Sequence, residues 1–127
     1  DFGTQSEEIK IANEISNLIS VHKIKPEDIS VLILDSRKIE NKTTQLISEP
    51  LPGKTKWILK GFQCKNTVLV DTVKRFKGLE SEIVFLWGID NIDPVSSEEL
   101  LYVGISRAKS ILYLVGSKDS CKKIHNM

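Results

Sequence analysis

The stretch "TVLVDTVKRFKGLESEIVFLWG", residues 67–88, decides how this chain folds. Two apolar runs rich in β-branched and aromatic residues, 67–72 and 82–89, lie on either side of a polar connector that contains a glycine, and the second run ends one residue beyond the quoted stretch. Short apolar runs without polar alternation are typical of strands that are buried on both faces of a sheet. The sequence therefore predicts two neighbouring elements of a fully covered sheet.

Further strands are predicted on both sides of this stretch. Residues 29–35, "ISVLILD", and residues 110–116, "SILYLVG", have the same apolar and β-branched composition. Residues 54–60, "KTKWILK", predict a shorter strand.

Helices are predicted between these strands. Residues 6–22 place apolar side chains at helical spacing, and residues 36–48 predict a modest helix that Pro50 and Pro52 stop. Ser96-x-x-Glu99 is a capping box, which predicts a helix running to about residue 109. Apolar strands that alternate with helices predict an α/β fold whose mainly parallel sheet is covered on both faces.

Composition predicts one globular domain over residues 1–127, with residues 117–127 as a tail. The chain has 127 residues, of which 40% are hydrophobic and 28% charged. Its polar start is no signal peptide, and no apolar run reaches the roughly 18 residues of a membrane span. Cys64 and Cys121 lack metal-site spacing and are interpreted as reduced thiols. We expect a cytoplasmic domain cut from a longer protein, with no metal site and no membrane contact.

The tripeptide Gly53-Lys54-Thr55 resembles the end of a phosphate-binding P-loop, but its surroundings do not. A P-loop needs an earlier glycine, where this chain has Ser48, and it must follow a strand and open a helix. Here a predicted helix precedes the tripeptide and a predicted strand follows it. Pro50 and Pro52 also remove backbone donors. We predict a turn at this point and no P-loop in this chain.

Charge is concentrated in one part of the sequence. The net charge is +1, yet residues 53–78 carry seven basic residues against the single acidic Asp71. Such a band either binds a phosphate backbone or is a solvated face with scattered lysines.

Two motifs carry the functional signal: "DTVKRFKGLESEIVFLWG", residues 71–88, and "ELLYVGISRAKSILYLVG", residues 99–116. They resemble motifs V and VI of the UvrD/Rep-like superfamily 1 DNA helicases. Residues 26–39, "PEDISVLILDSRKI", resemble the segment around motif IV of the same family. The paired occurrence of Lys-Gly-Leu-Glu and Ser-Arg-Ala, each beside a predicted strand, makes the resemblance specific.

The resemblance implies a RecA-like (P-loop NTPase-like) three-layer domain that lacks its own P-loop. Members of this family have two RecA-like motor domains with ATP between them. This chain resembles the second, C-terminal motor domain, UvrD_C-like with motifs IV–VI. ATP and Mg²⁺ would then be held mainly by the N-terminal RecA-like domain of the same protein, which would be a partner together with single-stranded DNA.

The resemblance also implies residues that face the nucleotide. Arg107 corresponds to the arginine finger of motif VI, and a guanidinium suits the charge that spreads over a transferring phosphoryl group. Glu80, Gly78 and Lys77 correspond to nucleotide-contacting positions of motif V. Arg37 is a candidate for the second arginine that motif IV often supplies, although it stands two residues beyond the usual place.

Three residues correspond to family positions that contact the backbone of single-stranded DNA: Thr72, Lys74 and Arg75. A hydroxyl and two cations at a strand end suit binding to phosphate without sequence preference. Lys74 stands where family members commonly have histidine. All three lie inside the basic band.

The sequence therefore predicts the second motor domain of an ATP-dependent DNA helicase or translocase, inactive when isolated. The alternative is a non-catalytic nucleic-acid-binding or regulatory module of RecA-like shape. A third interpretation, a small receiver-like or flavodoxin-like domain with Asp35 at a strand end, leaves both motifs unexplained.

Overall fold

The computed structural model describes residues 7–34, 43–59, 64–73, 80–88 and 98–116. The elements, in chain order, are α1 (Glu7–Ser20), a 3₁₀ turn (Pro26–Asp28), β1 (Ile29–Ile33), α2 (described over residues 43–47), β2 (Lys56–Leu59), β3 (Thr67–Thr72), β4 (Ser81–Trp87), α3 (Glu98–Ile105) and β5 (Ala108–Val115). Within these ranges, none of the helices combines the length and the apolarity that crossing a membrane requires.

The five strands form one sheet in the order β2-β3-β1-β4-β5, and every neighbouring pair is parallel. The predicted α/β class with a parallel sheet is therefore confirmed. Because all strands run the same way, their first residues share one border of the sheet, here called the amino edge. Their last residues share the opposite border, the carboxyl edge.

Both faces of the sheet are covered, as the unbroken apolar runs predict. Alternate residues of β1 point to opposite faces, so Val31 joins the core under α1 while Leu32 joins the core under α3. On the first face α1 contributes Ile11 and Ile15, which lie one helical turn apart. On the second face α3 contributes Leu101, which is buried. The result is a three-layer arrangement of helices, sheet and helix.

Two carboxylates of α1 bind aromatic side chains of the sheet. Trp87 is completely buried, and its Nε1 donates a hydrogen bond of 3.0 Å to Glu7. The hydroxyl of Tyr113 donates a hydrogen bond of 2.7 Å to Glu14. The ring of Tyr113 also stacks on Phe85, with ring centroids 4.3 Å apart. These contacts fix the orientation of α1 over β4 and β5 beyond what apolar packing alone would do.

Tyr113 makes the stability of the fold depend on pH in the alkaline range. Burial, the hydrogen bond to Glu14 and the negative charge of Glu14 raise the pKa of Tyr113 from 10.0 to about 12. A raised pKa in the folded state means that folding favours the neutral phenol. This contribution is complete below pH 10 and is lost as the pH rises through about 12. We expect the free energy of unfolding of Tyr113→Phe not to show this fall between pH 10 and about 12, when it is measured by urea titration at each pH. Equal pH dependence in both proteins would contradict the assignment.

The end of α3 differs from the prediction. The helix ends at Ile105 rather than near Lys109, and Ser106 and Arg107 form a turn that leads directly into β5. The reason is strand pairing, because Ala108, the first residue of β5, pairs with Ser81 of β4. The capping-box residue Ser96 lies outside the described residues, as does residue 35 of the strand predicted over residues 29–35.

The Gly53-Lys54-Thr55 turn is confirmed. Gly53 has a positive φ of 62°, which glycine adopts without strain, and residues 52–54 form a turn before β2 begins at Lys56. A helical segment precedes the turn and a strand follows it, the reverse of the order that a P-loop requires.

Candidate functional site

The two sequence motifs meet at the amino edge. Glu80 immediately precedes β4 and Arg107 immediately precedes β5, and these two strands are neighbours. The amide of Ser81 donates a hydrogen bond of 2.9 Å to the carbonyl oxygen of Arg107. Glu80 is exposed and Arg107 is half-buried, and the two residues precede neighbouring strands at the same edge of the sheet.

A buried serine pair holds this part of the edge in register. The hydroxyl of Ser81 donates to the carbonyl oxygen of Asp28 at 2.9 Å and accepts from the hydroxyl of Ser30 at 3.2 Å. Ser30 is fully buried and Ser81 is 4% exposed, so both hydroxyls depend on these bonds in place of water. The starts of β1 and β4 are therefore joined to each other beside Glu80, the residue that precedes Ser81.

The pairing of β4 with β5 shifts by one residue close to Arg107. Ser81 pairs with Ala108, whereas Ile83 pairs with Ile111, so β5 uses one residue more than β4 over this interval. The hydroxyl of Ser110, within the shift, donates a hydrogen bond of 2.6 Å to Glu82. Irregularities of this kind re-aim neighbouring side chains and are frequent beside functional sites.

The side chain of Arg107 lies against the end of α3. Its Nε donates to the carbonyl oxygen of Val103 at 3.1 Å, and its Nη2 donates to Oγ of Ser106 at 3.1 Å. Oγ of Ser106 in turn donates to the same Val103 oxygen at 2.8 Å. The last carbonyl groups of a helix carry partial negative charge and lack partners within the helix, so a guanidinium is stabilised there.

Close packing on the sheet fixes the end of α3, the helix that leads into the Ser106–Arg107 turn. Gly104 is buried, and a Cβ atom at this position would lie 2.9 Å from Cδ1 of Leu86 and 3.4 Å from Cγ2 of Val73. The helix backbone therefore approaches the sheet more closely than a larger residue would allow.

The region that contains these features can be compared with known protein families. Residues 67–115 match the UvrD-like helicase C-terminal domain family. This UvrD-like region runs from the first residue of β3 to the last residue of β5, so it includes Thr72, Glu80 and Arg107. The match confirms the resemblance on which the sequence interpretation depends.

A solved structure shares the fold of the UvrD-like region and its surroundings. It is the C-terminal domain of a possible DNA helicase from Lactobacillus plantarum WCFS1, at 20% sequence identity and a TM-score of 0.66. The similarity covers 87% of this chain and 66% of that one, so this chain spans slightly less than two thirds of the similar structure. No curated protein matches the sequence.

Within the UvrD-like region, Thr72 lies far from the Glu80–Arg107 pair. Thr72 is the last residue of β3 and is level with Trp87 at the end of β4, because both pair with Ile33 of β1. Trp87 is six residues beyond Ser81, which corresponds to roughly 20 Å along a strand. The structure therefore places the candidate DNA-binding threonine at the carboxyl edge and the candidate nucleotide-facing pair at the amino edge.

The structure describes three basic residues of the band, and all three lie near the amino edge. Lys54, Lys56 and Lys65 are exposed near the amino ends of β2 and β3, at the opposite edge from Thr72. These three lysines therefore lie away from Thr72, and a role of the basic band in binding a phosphate backbone stays a prediction. Five predicted site residues lie outside the described residues: Arg37, Lys74, Arg75, Lys77 and Gly78.

The described residues at the amino edge include a basic side chain, that of Arg107, and an acidic one, that of Glu80. A guanidinium and a carboxylate at one edge match the anionic phosphates and the hydroxyl groups of a nucleoside triphosphate. Within the described ranges, no three His, Cys, Asp or Glu side chains are grouped so that they could hold a metal ion.

Sequence reasoning missed the serines that organise this site. Ser30 and Ser81 lie at the starts of mostly apolar strands, and a serine in such a position is the signal that the sequence offers. Their pairing joins positions 51 residues apart, which no local pattern reveals.

Proposed function

We propose that this chain is the second motor domain of an ATP-dependent DNA helicase or translocase. The observation that carries the proposal is the juxtaposition of Glu80 and Arg107 at the amino edge, where the Ser81 amide binds the Arg107 carbonyl at 2.9 Å. Both residues belong to the region that matches the UvrD-like helicase family.

In this proposal Arg107 acts on a nucleotide that the N-terminal RecA-like domain of the same protein holds. ATP with Mg²⁺ would be the substrate, and transfer of its terminal phosphoryl group to water, with ADP as the leaving group, would drive movement. The Arg107 guanidinium stabilises the negative charge that develops on the phosphoryl oxygens, an effect worth about 10³–10⁵ in rate. Glu80 accepts a hydrogen bond from a nucleotide hydroxyl, and Lys77, Gly78 and Arg37 are further nucleotide contacts.

Single-stranded DNA binds at the carboxyl edge in this proposal. Thr72 ends β3 there and offers a hydroxyl to a backbone phosphate, with Lys74 and Arg75 as the following cations. The roughly 20 Å between Thr72 and the amino edge allows the nucleotide and the DNA to bind at the same time. The rigid parallel sheet between them would couple the two sites.

The division of labour between two domains can be tested with the chain alone. We expect the isolated chain to hydrolyse no ATP above the buffer rate, with or without single-stranded DNA, because it lacks a P-loop. The protein at its full natural length should hydrolyse ATP and respond to single-stranded DNA. A coupled phosphate-release assay on both proteins at equal concentration measures this. If the isolated chain hydrolyses ATP and Arg107→Ala abolishes that hydrolysis, the proposed division of labour between two domains is refuted.

A further inference from the structure

Backbone hydrogen bonds hold the main chain around Arg107 in place. The amide of Arg107 donates to the carbonyl oxygen of Gly104 at 3.2 Å, and its carbonyl oxygen accepts from Ser81 at 2.9 Å. The preceding amide, that of Ser106, donates to the carbonyl oxygen of Tyr102 at 3.0 Å. None of these three bonds involves the hydroxyl of Ser106, so they persist when that hydroxyl is removed.

The hydroxyl of Ser106 instead contacts the guanidinium. It accepts from Nη2 of Arg107 at 3.1 Å and donates to the carbonyl oxygen of Val103 at 2.8 Å. That carbonyl oxygen also accepts from Nε of Arg107 at 3.1 Å. Oγ of Ser106 and the carbonyl oxygen of Val103, here called the guanidinium seat, therefore hold two different nitrogens of one planar group.

We propose that Ser106 is a positioning residue for Arg107 in ATP hydrolysis, an inference that rests on the proposed function. Two contacts on a planar group restrict its orientation more than the Val103 contact does by itself, and the Ser106 hydroxyl supplies the second of them. An arginine side chain has many rotamers, and a guanidinium that is oriented in advance loses less freedom when it meets the phosphoryl oxygens. The seat thus presents Arg107 in one orientation at the amino edge.

Because Ser106 is exposed, a role in positioning Arg107 can be distinguished from a role in the stability of the fold. The side chain is exposed, so its replacement by alanine leaves no cavity in either core. We expect Ser106→Ala to have the same midpoint of urea denaturation as the unmodified protein. A clear loss of stability would show a structural role for Ser106 and overturn the proposal.

The test uses the protein at its full natural length with saturating single-stranded DNA. Ser106→Ala should lower kcat for ATP hydrolysis about tenfold and leave KM for ATP within about twofold, because orientation matters mainly in the transition state. Ser106→Thr retains the hydroxyl and should restore kcat to within about twofold. An unchanged or increased kcat in Ser106→Ala, or no rescue by threonine, overturns the proposal.

A double substitution tests the positioning role of Ser106 separately from the role of Arg107 in ATP hydrolysis. In the Arg107→Ala background, Ser106→Ala should cause no further loss of hydrolysis, because Ser106 acts only through the guanidinium. A further loss there overturns the seat. If Arg107→Ala alone leaves hydrolysis unchanged, the proposed function fails, and the seat fails with it. If Arg107→Ala lowers hydrolysis and Ser106→Ala does not, only the seat fails.

Discussion

Arg107→Ala should reduce DNA-stimulated ATP hydrolysis by the full-length protein about 10³–10⁵-fold, because it removes the guanidinium that is proposed to stabilise the developing charge on the phosphoryl oxygens. Binding of single-stranded DNA should stay within about twofold, because the candidate DNA contact Thr72 lies at the opposite edge of the sheet. Steady-state hydrolysis with saturating DNA, together with fluorescence anisotropy of a labelled oligonucleotide, measures the two effects separately.

Two variants serve as controls for Arg107→Ala. Arg107→Lys keeps the charge but lacks the planar fork, so we expect it to recover only part of the lost rate. Thr72→Val, which replaces the hydroxyl by a methyl group at the other edge, should weaken DNA binding and leave hydrolysis at saturating DNA largely intact. Unchanged turnover in Arg107→Ala would remove the arginine-finger assignment. It would favour the alternative of a nucleic-acid-binding or regulatory module without catalysis.

Trp87→Ala should lower the free energy of unfolding of this chain by about 3–5 kcal/mol. Trp87 is fully buried at the end of β4 and belongs to the core under α1. The substitution removes an entire indole ring and also the hydrogen bond of 3.0 Å to Glu7, which ties α1 to the sheet. Because domains are commonly stable by only about 5–15 kcal/mol, the loss is a large fraction of the total. Urea denaturation followed by circular dichroism measures it.

Trp87→Phe is the matched variant, because it keeps an aromatic ring in the core and removes the Nε1 donor. We expect a smaller loss, about 1–3 kcal/mol, from the partial cavity and from the missing hydrogen bond to the Glu7 carboxylate. It also keeps the comparison measurable if the alanine variant does not fold. Equal stability of both variants and the unmodified chain would show that the core under α1 does not depend on this side chain.

The sequence predicts the central strands well and one helix end poorly, for a physical reason. β3 covers the predicted residues 67–72, because a strand buried on both faces is apolar throughout its length and its limits are visible locally. The end of α3 is different, because the residues around Arg107 are compatible with a helix. Pairing of Ala108 with Ser81 draws them into β5, and local propensity cannot register a partner so distant in sequence.

The candidate site was predictable as a pair of motifs but not as an arrangement. Resemblance to the family selected Glu80 and Arg107 for the same site, and the parallel pairing of β4 with β5 brings them to one edge. The distance between this edge and Thr72 depends on strand order and register, which the sequence does not specify. The seat formed by Ser106 depends on side-chain rotamers at the turn, which have no sequence pattern of their own.

The irregular pairing of β5 also bears on self-association. Among the described strands, β5 pairs with β4 alone, and Lys109 is exposed on it beside the shift in register. A charged side chain and a local change of twist discourage docking of a second strand along such a border. The irregular pairing beside Arg107 therefore also works against edge-to-edge association of two sheets through β5.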